Sequence, residues 1–180
     1  MTKLEEAFEN MTAEQQKEAR EEIGEMMGMP PKRRTADREM LIRSFKNTQR
    51  IIQENELLRS QTEKMQSETR LFLPGFQAVF PNWKVNEPAL SLVEDTTFHC
   101  AQELVNNEDK VAVLNFANAY HPGGGVVNGA MAQEECLCRS SNLYSSLTLP
   151  YLIKNYYKWN SRNTGDLGSD SVIYSPGVTV

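Results

Sequence analysis

Cysteine is scarce, and the little there is forms no pattern. Cys100, Cys136 and Cys138 are the three in 180 residues. An odd count without paired spacing excludes a disulfide framework and a tetrahedral zinc site, so reduced thiols and no metal are expected. Long hydrophobic runs are absent too. Nothing approaches the roughly 20 apolar residues that cross a bilayer, and the N-terminus is acidic and polar where a secretory signal is basic and then apolar. A cytoplasmic protein without membrane association is the expectation. The third absence is a basic excess. The net charge of -5 argues against direct nucleic-acid binding by phosphate neutralisation, so an anionic ligand has to be held by backbone dipoles or a few side chains.

What is present belongs to an ordinary globular chain, 39% hydrophobic and 24% charged, with room for one sizeable core and an appendage. Residues 1–29 carry eight Glu against three Lys or Arg. Their helix-friendly string begins at Thr12, an expected N-cap with Gln15 as its reciprocal partner. Pro30-Pro31 stops this helix and Lys32-Arg33-Arg34 opens a linker. From Asp37 to about Gln66, Leu41, Ile42, Phe45, Ile51, Ile52, Leu57, Leu58 and Met65 recur at helical spacing, predicting one or two amphipathic helices around Asn55. Leu90-Ser91-Leu92-Val93 reads as strand-like, followed by a helix over residues 96–106 that Asp95 is placed to cap. The run Val111 to Ala117 predicts a strand buried on both faces of an α/β sheet. It feeds a loop ending in Gly123-Gly124-Gly125. Residues 130–147 predict a helix with Leu137 and Tyr144 on one face, and Ser171 to Ser175 a second strand.

A buried strand, three glycines and then a helix whose first turn holds Gln133-Glu134-Glu135 is the informative combination. Glycines let the backbone take positive φ and approach a ligand, so that N–H groups can face a phosphate, and the helix start adds partial positive charge. No Gly-Lys-Ser or Gly-Lys-Thr follows, and the spacing of Gly123, Gly125 and Gly129 misses the dinucleotide fingerprint, so kinase-like and dehydrogenase readings fall. A triple glycine alone is more often a plain tight turn than a ligand loop. Two adjacent carboxylates beside such a loop can have one pKa raised toward that of a general acid while the other stays ionised; the plainer reading is that both favour the helix dipole. His121, before Pro122, shapes the loop. Cys136 and Cys138, Tyr156, Tyr157 and Trp159 read as packing residues. Arg139 either pairs with a carboxylate of the site or lies on the helix surface.

Gly123-Gly124-Gly125, seven residues, then Gln133-Glu134-Glu135 resembles the signature of poly(ADP-ribose) glycohydrolases. The surrounding Leu114 to Pro122, Cys136-Leu137-Cys138-Arg139 and Ser175-Pro176-Gly177-Val178 are similar to the compact microbial branch. The likeness is specific over 110–180, looser over 35–109 and absent from the first thirty residues. It implies an α/β macrodomain-like mixed sheet flanked by helices over 32–180, preceded by an acidic helical appendage and linker at 1–31. It implies hydrolysis of the ribose–ribose O-glycosidic bond of poly(ADP-ribose) to release ADP-ribose, or a module that binds ADP-ribose without cleaving it. ADP-ribosylated proteins are then partners and no cofactor is required. By the same resemblance Glu135 is the catalytic acid and base, Glu134 positions the ribose, Asn118 bonds its hydroxyls, Gly123, Gly124, Gly125 and Val126 line the diphosphate, and Gln133 braces the loop. The family pattern also implies further strands beyond Val180, without which a sheet exposes an apolar edge.

Overall fold

The computed structural model describes residues 12, 15, 38–78, 90–106, 110–165 and 168–180. The chain divides into two units, Met1–Asp37 and Arg38–Val180. In the first, the Thr12 N–H donates to Gln15 Oε1 (3.0 Å) and the Gln15 N–H to Thr12 Oγ1 (3.3 Å). This is the reciprocal cap their spacing predicts. The rest of the expected N-terminal helix, its Pro30-Pro31 stop and the basic linker lie outside the described residues.

The second unit is helix-rich with a small sheet. Helices α1 (Arg38–Glu54) and α2 (Glu56–Glu68) meet at Asn55, whose extended backbone and side chain, accepting from the Leu58 N–H at 3.0 Å, end one helix and cap the next. Phe45 and Ile52, seven residues apart on α1, are buried, as is Met65 on α2. Strand β1 (Arg70–Phe72) pairs antiparallel with β2 (Val172–Tyr174), Leu71 opposite Ile173. The expected second strand is thus present, and β1 is a partner the sequence did not reveal.

Between them the expectations need correction. Leu90 to Val93 is irregular, with Leu90 and Leu92 fully exposed. Helix α3 (Thr97–Asn106) is capped by Thr96, whose Oγ1 accepts from the His99 N–H at 3.2 Å. Asp95 instead binds the Thr96 N–H and the His99 ring. Residues 111–117 join no ladder, and Leu114 and Phe116 are each more than 70% exposed. A doubly buried strand needs neighbours on both edges and layers on both faces, and among the described residues none flank this one.

The expected single helix over 130–147 is two, α4 (Gln133–Arg139) and α5 (Leu143–Leu147). Polar side chains at the junction take the backbone's bonds. Ser141 Oγ donates to the Leu137 carbonyl and accepts the Leu143 N–H. Asn142 Nδ2 donates to Thr62 Oγ1 (3.0 Å) while its Oδ1 accepts from the Thr179 N–H (2.8 Å), fastening the last residues to α2. Leu137 and Tyr144 still share one core, with Phe45, Val126, Cys138, Leu143 and Leu147; the Phe45 and Tyr144 rings meet edge to face at 5.0 Å. Helix α6 (Pro150–Leu152) widens into a π-helical stretch, Ile153–Tyr157, and continues as α7 (Lys158–Asn163). There Leu152, Tyr156 and Tyr157 form a second core under the sheet residues Leu71 and Ile173. Tyr156 and Tyr157 pack as expected, whereas Trp159 is exposed. No helix among the described residues is long and apolar enough to cross a membrane.

One glycine fixes how α1 seats on the loop. Gly129 has φ 73°, and a Cβ there would lie 2.7 Å from the Arg38 carbonyl oxygen. Gly129→Ala is expected to destabilise the chain by about 2 kcal/mol or more, read as a lower urea midpoint with unchanged slope.

Candidate active site

The extended segment, the glycine loop and the first turn of α4 meet on two carboxylates. Glu134 and Glu135 are buried although they are adjacent acidic residues at a helix start. Burying such groups is tolerated only where donors satisfy them, and here backbone N–H groups supply most of the donors. Glu134 Oε2 accepts from the Asn118 N–H (2.8 Å), and Oε1 from the Gly123 N–H (3.2 Å) and, at 3.5 Å, Asn115 Nδ2. Glu135 Oε1 accepts from the Gly125 N–H (2.8 Å). Glu135 Oε2 is buried and has no hydrogen-bond partner among the described residues.

This requires glycine at all three positions. Gly123 and Gly124 have φ 69° and 56°, in the left-handed region. A Cβ on Gly124 would lie 2.4 Å from Glu135 Oε1, one on Gly123 2.8 Å from the Tyr144 ring, and one on Gly125 2.9 Å from Ala130 Cβ. The three N–H groups do not face outward as expected: those of Gly123 and Gly125 are spent on the carboxylates and that of Gly124 on the His121 carbonyl. Val126 sends its side chain wholly into the core.

Gln133 braces the site, on the extended segment and not on the glycine loop. Its Oε1 accepts from the Phe116 N–H (2.9 Å) and its Nε2 donates to the Leu114 carbonyl (2.8 Å). A side-chain amide thereby takes the place of a ladder neighbour on either side of Asn115 and turns that residue toward Glu134. Asn115 was given no role from the sequence; a lone polar residue inside the apolar run Val111 to Ala117 is the signal that was available. Asn118 Oδ1 accepts from the Tyr120 and His121 N–H groups, an Asx turn that sets the loop's direction. Arg139 does neither of the things expected of it. It is buried and donates twice to the Ala130 carbonyl, both at 3.1 Å. Cys136 is exposed, against expectation, while Cys138 is buried.

Burial pushes the Glu134 carboxyl above its ordinary value; the bonds from Asn118, Asn115 and Gly123 oppose this, and the Glu135 charge adds to it. The Cys138 thiol is pushed up to about 12, by burial first and then by both carboxylates, so it is inert packing. The arrangement is an acid pair held by amides, with one carboxylate oxygen uncommitted. Among the described residues no cluster of three or more His, Cys, Asp or Glu is arranged to hold a metal.

Residues 40–180 match the family described as microbial-type PARG, catalytic domain, where PARG is poly(ADP-ribose) glycohydrolase. Among solved structures, that enzyme from Thermomonospora curvata is 34% identical with a TM-score of 0.64, over 79% of this chain and 57% of that one. Its complex with the inhibitor ADP-HPD gives 33%, 0.64, 79% and 55%. The Deinococcus radiodurans enzyme in complex with ADP-ribose is 36% identical with a TM-score of 0.54, over 65% of this chain and 48% of that one. The chain thus spans roughly half the length of these relatives. No curated protein matches significantly.

The raised Glu134 carboxyl has a pH consequence. A carboxyl raised by folding stabilises the fold while it is protonated, below its ordinary 4.5, and loses that contribution as pH rises through the folded value. The stability of the chain relative to Glu134→Gln is expected to fall across that window in urea titrations from pH 4 upward; a flat difference contradicts the burial.

Proposed function

The chain belongs to the microbial-type poly(ADP-ribose) glycohydrolase catalytic domain family, and from that premise we propose that it hydrolyses the ribose–ribose O-glycosidic bond of poly(ADP-ribose), releasing ADP-ribose. The observation that carries the reading is Glu135. One of its carboxylate oxygens is fixed by the Gly125 N–H and the other is buried and unpartnered among the described residues. An unsatisfied buried oxygen costs stability, and a role in chemistry is one explanation for keeping such a group, which the neighbouring acid and glycine loop favour here.

In this reading residues 32–180 form a macrodomain-like domain and 1–31 an appendage. Glu135, as the acid, protonates the departing ribose oxygen while the glycosidic C–O bond breaks toward an oxocarbenium-like centre. As the carboxylate, it then takes a proton from the water that attacks that centre. Glu134, aimed by Asn115, Asn118 and Gly123, orients the ribose. Asn118 bonds the ribose hydroxyls through Nδ2, its Oδ1 being taken by the Tyr120 and His121 N–H groups. Gly123 to Gly125, with no Cβ in the way, lie along the diphosphate at close approach; Val126 supports that loop from behind, and Gln133 braces the extended segment beside it. The Thermomonospora relative binds the inhibitor ADP-HPD and the Deinococcus relative ADP-ribose, which supports an ADP-ribose ligand here. ADP-ribosylated proteins are then the partners, and three unpaired thiols suit the cytoplasm.

The test is calorimetric titration of ADP-ribose into the 180-residue chain, then incubation with poly(ADP-ribose) and detection of released ADP-ribose. Glu135→Gln is expected to lower release by about 100-fold or more with binding retained. Binding without release by the unsubstituted chain would make it a non-catalytic ADP-ribose reader. If residues 1–31 are an appendage, deleting them is expected to leave the dissociation constant within about twofold.

A further inference from the structure

Asn160 is fully buried on α7, and its amide is half used. Nδ2 donates to the Ala119 carbonyl at 3.1 Å, while Oδ1, also buried, has no partner among the described residues. Keeping a buried carbonyl unpaired is costlier than an apolar side chain of the same shape, so the bond that Nδ2 makes is what the residue contributes. Ala119 follows Asn118, whose N–H holds Glu134 Oε2 at 2.8 Å. The Asn118 side chain is turned into its own loop, on the Tyr120 and His121 N–H groups. The loop meets the far side of the helix end twice more. The Tyr120 hydroxyl donates to the Gly165 carbonyl, and a Cβ on Gly168 would come within 2.9 Å of Ala119 Cβ. Of the two hydrogen bonds, the Asn160 bond is the one made by a fully buried side chain.

We propose that Asn160 is a positioning residue for Glu134: by holding the Ala119 carbonyl it fixes the Asn118 N–H against the carboxylate. The proposal rests on the reading of Glu134 as the group that orients the ribose. Asn160 touches no reacting atom. It acts through the Ala119–Asn118 backbone, and its loss frees that peptide to drift. The Asn118 N–H favours the ionised form of Glu134 and opposes the effect of burial. Loosening it makes the carboxyl take up a proton at higher pH and displaces it from the ribose.

The experiment follows the Glu134 carboxyl by NMR titration in the full chain carrying ¹³C-labelled glutamate, alongside kcat/KM on poly(ADP-ribose) as a function of pH. Asn160→Leu and Asn160→Ser are compared with Asn163→Ala, which removes a bond from Asn163 Nδ2 to the Trp159 carbonyl on the exposed side of the same helix. In either Asn160 variant the Glu134 midpoint is expected to move up, the acid limb of kcat/KM to move to higher pH, and kcat/KM to fall on the order of tenfold. Asn163→Ala is expected to match the parent. A purely structural role lowers Tm and leaves the Glu134 midpoint in place, and an unmoved midpoint in a folded Asn160 variant overturns the proposal. If neither variant folds, hydrogen exchange of the Asn118 amide in the parent decides: protection supports the proposal and exchange at the rate of a free amide overturns it. Failure of the parent to release ADP-ribose sinks the catalytic reading alone, because the titration still reports on Asn160.

Discussion

Two neighbouring carboxylates are buried at the start of one short helix, and the surrounding architecture answers that constraint. Adjacent acids repel each other, and burial disfavours their charged forms. Without donors the pair would be expelled to the surface or held neutral. The donors come from main chain that arrives from two directions, the Asn118 peptide on one side and the Gly123 and Gly125 peptides on the other. Main-chain N–H groups suit this task because they donate without bringing a formal charge into the buried site. The glycines follow from this: a loop that sends two amides inward within three residues needs left-handed backbone and no Cβ between it and the acids.

The rest of the second unit backs that loop. Behind it Val126 is sunk in the core of Phe45, Leu137, Cys138, Leu143 and Leu147, and α1 closes over its far end, where Arg38 Nε donates to the Asn128 carbonyl at 2.6 Å. Arg139 ties the end of α4 back to Ala130, so the helix carrying both acids is fixed at both ends. Glu134 and Glu135 therefore sit on a rigid mount while exposed segments rim them, the arrangement expected where geometry matters more than adaptability. The apolar side chains of Leu114 and Phe116 on that rim are exposed, and a covering layer would have to reach them.

The core of the site was legible in the sequence because short-range chemistry writes it: three glycines, an acid pair and the Gln133 brace lie within thirteen residues, and each does something near what its type suggests. The Asn55 cap and the Thr12 and Gln15 box were legible for the same reason. Long-range features were not. The Asn115 and Asn160 roles depend on partners at sequence separations of 19 and 41, and nothing local to either asparagine marks it off from a turn residue. The helix break after Arg139 was missed because Ser141 and Asn142 fit a helix by pattern, and their competing bonds reach residues such as Thr62 and Thr179. Strand β1 is three residues long and takes its identity from β2. The 111–117 run failed in the opposite way: its composition suits burial between strands, and the described residues do not provide them.

The pairing of Arg70 with Tyr174, and of Thr179 with Asn142, bears on how the chain is made. Most of the polypeptide lies between the two strands, so closing that pair encloses a long loop and carries a large entropic cost before any contact repays it. A ribosome will have exposed α1, α2 and the acid-bearing helix well before β2 leaves the exit tunnel. During that interval, at synthesis rates of roughly 5–20 residues per second, the donors that hold both carboxylates are already made, while β1 and Asn142 await partners still to come. The nascent chain therefore passes through a stage in which the helices exist and the sheet does not.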